Sequence, residues 1–151
     1  DLINAAKLLP DINFHIVGKS SKHGLAYFNF VKANSPDNVN FYDFVSHDEL
    51  ARLYQRAKVH ILPSWIETPG LSSLEAAAMG CTVVVTDRGD TEWYFGDRAY
   101  YVEPGNKFSI RRTLKIALKN PIDCSAHVAK NYTWQNTARA TYRVYREIFN
   151  V

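Results

Sequence analysis

The densest group of residues able to do chemistry lies between Pro63 and Gly80 and contains Glu67, the Pro69-Gly70 pair, Ser72 and Glu75. Pro69-Gly70 can turn the backbone with no Cβ in the way at the glycine. The amides of Gly70, Leu71 and Ser72 would then open a helix with unpaired N–H groups. Such a helix end favours an anion, phosphate above all. Glu67 lies just before the turn and Glu75 about two helical turns along. One carboxylate can face the floor of a crevice while the other reaches hydroxyl groups, of which a carboxylate can accept two. Taken alone, Glu75 reads as a solvated helix residue. Its neighbours Leu74, Ala76, Ala77, Ala78 and Met79 instead predict a buried helix, in which an idle carboxylate is costly.

The elements that must position this segment are read from period and punctuation. Asn13 to Val17 alternates polar and apolar residues and runs into Gly18, a strand ending in a tight loop. Val39 to Phe44 has strand composition. Ser46 with Glu49 three residues on forms a capping box that opens a helix through Leu50, Leu53, Tyr54 and Ala57. Val59 to Leu62 is a short apolar strand, Leu71 to Met79 a helix stopped by Gly80, and Thr82 to Thr86 a β-branched strand. These apolar strands are expected to be buried on both faces. Ala99 to Val102 adds another strand, and Ile110, Leu114, Ala117 and Leu118 fall on one helical face. Trp134, Ala138, Tyr142, Tyr145 and Phe149 form an aromatic stripe at helical spacing beside the capping-competent Thr133. The alternation predicts an α/β domain built on an open, doubly wound parallel sheet, whose ligand sites lie beyond the carboxyl ends of its strands. Leu2 to Leu9 is already a helical pattern, so the chain is expected to lack the first strand of that sheet.

Composition bounds the function. The 151 residues, 46% hydrophobic and 22% charged, fit one globular domain and exclude a disordered tether. Eighteen Lys+Arg against fifteen Asp+Glu leave a net charge of +3, with no basic run longer than Arg111-Arg112, which argues against a nucleic-acid partner. Cys81 and Cys124 form no C-x-x-C pair, and the five histidines show no metal-ligand spacing, so neither a disulfide framework nor a metal site is expected. No apolar run approaches the length of a transmembrane span, no signal-peptide layout opens the chain, and a cytoplasmic setting is expected. Gly18-Lys19-Ser20 mimics the end of a P-loop, but Asn13 stands where its first glycine is required. Asn131-Tyr132-Thr133 matches a glycosylation sequon and reads as a helix start. His60, inside an apolar strand, reads as a hydrogen-bonded core residue.

Glu67 and Glu75 inside P-S-x-x-E-x-x-G-L-x-x-L-E-A-x-A-x-G, with the Val-Val strand and Thr86 to Glu92 that follow, resemble the C-terminal donor-binding domain of family 4 (group 1) glycosyltransferases, the retaining GT-B enzymes. The resemblance extends from Leu2-Ile3-Asn4-Ala5 through Ile16-Val17-Gly18, Asn38-Val39, Asp48-Glu49-Leu50 and Leu53-Tyr54 to Val102-x-Pro104 and Tyr132-Thr133-Trp134. It implies a single donor-binding domain over residues 1–151 whose substrate is a nucleotide sugar such as a UDP- or GDP-sugar, with transfer of a hexosyl-type group and no cofactor. By it Glu75 binds the ribose hydroxyls, and Glu67 lies at the transferred sugar beside the reacting centre. Gly70, Leu71 and Ser72 hold the diphosphate, Gly18 lets the chain approach the donor, and Phe44 and Val45 hold the base through backbone groups. No metal is implied, since the helix end and basic side chains carry the leaving charge. The sequence departs from the family at Asp43 and Asp90, which stand at usual glycines. The family's diphosphate-clamping Arg and Lys, and its N-terminal acceptor-binding domain, fall before the matched region. The resemblance implies that the closing helix leans on that domain, that any membrane association belongs to it, and that this chain alone is inactive. A GT-B sugar-nucleotide epimerase would share the fold but use further catalytic carboxylates and histidines. A flavodoxin-like signalling module would carry an acceptor Asp where the third strand here ends in Pro63-Ser64.

Overall fold

The computed structural model describes residues 1–20 and 22–149. Helices and strands alternate as α1 (Leu2–Ala6), β1 (Phe14–Val17), α2 (Leu25–Ala33), β2 (Val39–Tyr42), α3 (His47–Arg56), β3 (Val59–Leu62) and α4 (Leu71–Ala78). They continue as β4 (Thr82–Thr86), α5 (Thr91–Phe95), β5 (Tyr100–Val102), α6 (Lys107–Lys119), α7 (Ser125–Asn131) and α8 (Trp134–Phe149). Each strand pairing is parallel, β1 with β2, β3 with β4 and β4 with β5. The α/β class and the parallel pairing are as expected, but the strands form two sheets, β1-β2 and β3-β4-β5, where one continuous sheet was expected. Among the described residues no strand pairs with the free edges of β1 and β3, so nothing carries the ladder from one sheet to the other.

The two sheets nevertheless share an apolar core. Phe14 and Val39 of the first sheet and Val84 and Val102 of the second pack with Ala5, Ala6 and Leu9 and with Ile110, Leu114 and Ala117 of α6. A second cluster joins Leu74 and Ala77 of α4 to Val83 and Val85 of β4, Phe95, Ala99, Cys124 and Val128. Alternate residues of β4 thus enter opposite clusters, and all five of its residues are buried. Each large apolar side chain removed from water in this way contributes about 1.5 to 3 kcal/mol. β3 differs from the expectation of burial on both faces. All four of its residues are only partly buried, because just one of its edges is covered by a neighbouring strand.

Polar residues at the element ends explain where the helices start. The Ser46 hydroxyl accepts from the Glu49 amide at 3.3 Å, and the Glu49 carboxylate accepts from the Ser46 amide at 2.9 Å, completing the expected capping box of α3. The same bonds hold the Glu49 carboxyl below its ordinary pKa. Asn106 caps α6 through the Phe108 and Ser109 amides, and the Thr133 hydroxyl accepts from the Asn136 amide at 3.2 Å at the start of α8. Gly80, at φ +89°, stops α4. The Asn38 amide group donates to the carbonyls of Ala6, Leu9 and Ile12 and so ties the chain after α1 to the start of β2. Three helices, α2, α5 and α7, were not anticipated. α2 has no fully buried residue and therefore no apolar stripe to read, and α5 and α7 span only five and seven residues.

Candidate functional site

The loop between β3 and α4 is fixed by the loop that follows β4. Glu67 donates its amide to the Arg88 carbonyl at 3.2 Å and accepts at its own carbonyl from the Asp90 amide at 3.0 Å, a one-residue parallel bridge between Glu67 and Gly89. Gly89 has φ +93°, and a Cβ there would overlap the Glu67 carbonyl oxygen, so this close approach requires glycine. Asp90, by contrast, caps α5 at φ −97°, a backbone conformation open to any residue. The departure from glycine at position 90 therefore costs the local backbone nothing.

Past this bridge the chain turns at Gly70, which is buried and left-handed at φ +64° and ψ +51°. The Gly70 carbonyl accepts from the Ser73 amide at 3.0 Å and the Leu74 amide at 3.3 Å, closing the first turn of α4. The Gly70, Leu71 and Ser72 amides precede any donor of that ladder, and this eight-residue helix thus opens with N–H groups that have no partner among the described residues, at its positive end. The Glu67 carboxylate sits beside it. A Cβ on Gly70 would lie 3.4 Å from Glu67 Oε2. Glu67 thus lies beside Gly70, from which Leu71 and Ser72 continue into α4.

Glu75 corrects an expectation. The helix around it is buried at Ser73, Leu74, Ala76 and Ala77, but Glu75 itself is exposed. Its apolar neighbours occupy the core-facing stripe, and position 75 lies on the opposite side of the 3.6-residue period. The carboxylate is directed toward α3. There the Tyr54 phenol is pushed up to about 12, first by burial and then by the charges of Glu75 and Cys81. A hydrated carboxylate with no hydrogen-bond partner among the described residues can accept from a ligand without first breaking a protein contact.

Underneath α4, His60 Nε2 lies 3.1 Å from the hydroxyl of buried Ser73, which fulfils the core role expected of that histidine. Its ring meets Tyr54 edge-on, and burial pushes its pKa down to about 4. The imidazole is therefore neutral at pH 7. The remaining expected residues belong to the other sheet. The Gly18 amide donates to the Tyr42 carbonyl at 3.0 Å, and a Cβ on it would meet no atom within 4 Å among the described residues. Phe44 is 82% exposed. Val45 lines a shallow depression with Tyr42, Glu49, Arg52, Leu53 and Arg56.

One group of contacts was not anticipated. Trp65 is 62% exposed, yet the Arg88 guanidinium lies 5.2 Å from its ring centroid, and a Cβ on Gly105 would come within 3.2 Å of its Cη2. Arg88 follows β4 and Gly105 follows β5, so no local sequence pattern relates the three residues.

A Rossmann-like α/β domain with parallel strands and an open helix end at the carboxyl end of one of them is the class that this fold and site define. The chain belongs to the group 1 glycosyl transferases, whose family model matches residues 1–135. It is 32% identical over 117 residues to an uncharacterised glycosyltransferase of Methanocaldococcus jannaschii, covering 72% of this chain and 30% of that protein. It is 28% identical over 171 residues to the D-inositol 3-phosphate glycosyltransferase of Pseudarthrobacter chlorophenolicus, covering 95% of this chain and 38% of that one. In three dimensions it resembles the sucrose-phosphate synthase of Thermosynechococcus elongatus, with a TM-score of 0.86 at 22% identity over 99% of this chain and 41% of that chain. The chain thus spans well under half the length of these relatives, and its fold is that of one half of a GT-B glycosyltransferase. Among the described residues no helix is long and apolar enough to cross a membrane.

Proposed function

We propose that this domain binds the nucleotide-diphosphate sugar of a glycosyl transfer reaction. The observation that carries the reading is the Gly70 turn, where the three opening amides of α4 lie next to one carboxylate, Glu67, with a second, Glu75, exposed on the same helix. In this reading the amides of Gly70, Leu71 and Ser72 take the diphosphate, Glu75 accepts from the ribose hydroxyls, and Glu67 lies at the transferred hexose. Gly18, Phe44 and Val45 approach the donor and its base. The α4 end stabilises the charge that develops on the departing nucleoside diphosphate, so the reaction proposed is metal-independent and cofactor-free. The bond from the anomeric carbon to the phosphate oxygen breaks with its electron pair on the diphosphate. A bond to the acceptor oxygen forms with the anomeric configuration retained, and the proton of the acceptor hydroxyl passes to the departing diphosphate. The epimerase and signalling alternatives gain no support from the relatives, which are named as glycosyltransferases.

The acceptor side is proposed to come from a separate N-terminal domain, because the chain spans only 38% of a two-substrate relative's length. Without it the chain would bind donor but not turn it over. α8 suits the contact to that domain, since none of its residues is buried and Trp134, Tyr142, Tyr145, Ile148 and Phe149 are all exposed. Two buried free thiols, Cys81 and Cys124, fit a reducing, cytoplasmic setting.

The test is ligand-observed NMR with UDP, GDP, ADP and their glucose or mannose conjugates, on the parent chain and on Glu75→Ala. Binding of one base series by the parent and its loss in the variant is expected. Equal binding by both would overturn the ribose assignment, and silence from the parent across the series would overturn the donor reading.

A further inference from the structure

Trp65 lies on the β3–α4 loop two residues before Glu67, leaves 62% of its surface to solvent, and is held from both following loops of its sheet. Arg88 holds it from the loop after β4. Gly105, at φ +84°, leaves room for the indole edge in the loop after β5. Because the strand order is β3-β4-β5, the side chain reaches across the carboxyl end of β4 toward that of β5. Its neighbours, Arg88 and Gly105, both belong to the loops of its own sheet. A large aromatic left in water but locked in place costs little conformational entropy when a ligand arrives, which is the property of a preorganised contact. The backbone bridge between Glu67 and Arg88 couples its position to that of the nearby carboxylate.

We propose that Trp65, clamped by Arg88 and Gly105, is a stacking platform for the ring of the transferred hexose and contributes to sugar selectivity. The inference rests on the donor reading above and adds a residue to its sugar end. The aliphatic C–H face of a pyranose is the part of the donor that an indole can cover, while Glu67 addresses its hydroxyls. Trp65 is then a specificity-determining residue with no part in bond making.

Saturation-transfer NMR separates this role from the rest of the site, because hexose and nucleoside protons of one ligand are read independently. The probes are UDP-glucose and GDP-mannose against UDP and GDP, with Trp65→Ala and Trp65→Phe compared with the parent and folding checked by the amide spectrum. In Trp65→Ala the nucleoside protons keep their saturation and the free diphosphates bind as before. Saturation of the hexose protons falls away, and the affinity for the nucleotide sugar drops about tenfold, toward that of the diphosphate. Trp65→Phe recovers part of both. Hexose saturation and affinity unchanged in Trp65→Ala would overturn the platform while leaving the donor reading intact. No nucleotide binding by the parent would overturn both.

Discussion

The two sheets of this domain are built to different tolerances. In the β3-β4-β5 half the site loops are cross-braced. Glu67 is bonded at both its amide and its carbonyl, Gly89 admits no side chain, Thr86 and Thr91 close the loop between them, and Ser73 rests on His60. In the β1-β2 half the corresponding loops are more open, with Phe44 82% exposed and no atom among the described residues within 4 Å of a Cβ placed on Gly18. The difference teaches where precision is invested. On the proposed reading, the end that would hold the diphosphate and the reacting sugar must place charges closely, whereas a base held through backbone groups would tolerate a looser frame.

The contrast can be broken most severely at Gly89. Gly89→Ala forces a Cβ into the Glu67 carbonyl at a left-handed φ, and the chain should lose about 3 kcal/mol in urea unfolding together with its donor binding. Gly18→Ala, strained at φ +156° but meeting no atom within 4 Å among the described residues, lacks that overlap and should lose less, and a comparable loss would erase the distinction between the two halves.

His60 sharpens the same comparison through pH. Its folded pKa of about 4 lies below the ordinary value of 6.5 because burial disfavours the charged ring. Between those values the unfolded chain binds the extra proton, so stability is full above pH 6.5, falls as pH drops toward 4, and levels off below. The partly buried ring sets a ceiling of about 3 kcal/mol on this loss. Urea midpoints of the parent and of His60→Phe, measured from pH 7 to 4, should diverge in slope across that window. Parallel profiles would show that the ring is not the group responsible.

A smaller effect is expected at Asn38, which donates to three carbonyls between Ala6 and Ile12. Asn38→Ala strands those acceptors and should cost about 1 to 3 kcal/mol, read from the thermal midpoint. Because the staple bonds to none of the candidate-site loops and reaches the site half only through the shared core, donor affinity should change little. A matching loss of affinity would mean that the two halves are coupled more tightly than their separate sheets suggest.

Much of this architecture is legible in the sequence, where a residue's type fixes its local backbone. The Ser46–Glu49 box, the Gly80 stop and the Gly70 turn were expected and are found, and β3 and β4 span the expected residues. What was illegible depends on partners distant in sequence. The division into two sheets follows from strand edges, which no local pattern records. Glu75 was expected to be buried because apolar neighbours count alike on both sides of a helix until its core-facing stripe is known. Trp65, Arg88 and Gly105 meet only because β3, β4 and β5 lie side by side. Helix α2 lacks a buried stripe and so lacks the periodicity by which a helix is read.

The account turns on the open end of α4. Its most direct measurement is the set of amide chemical-shift changes on titrating the chain with UDP or GDP. If α4 receives the diphosphate, the largest shifts fall on the Gly70, Leu71 and Ser72 amides and saturate together with the nucleotide signals. Saturable shifts confined to other loops, with these three amides unmoved, would contradict it.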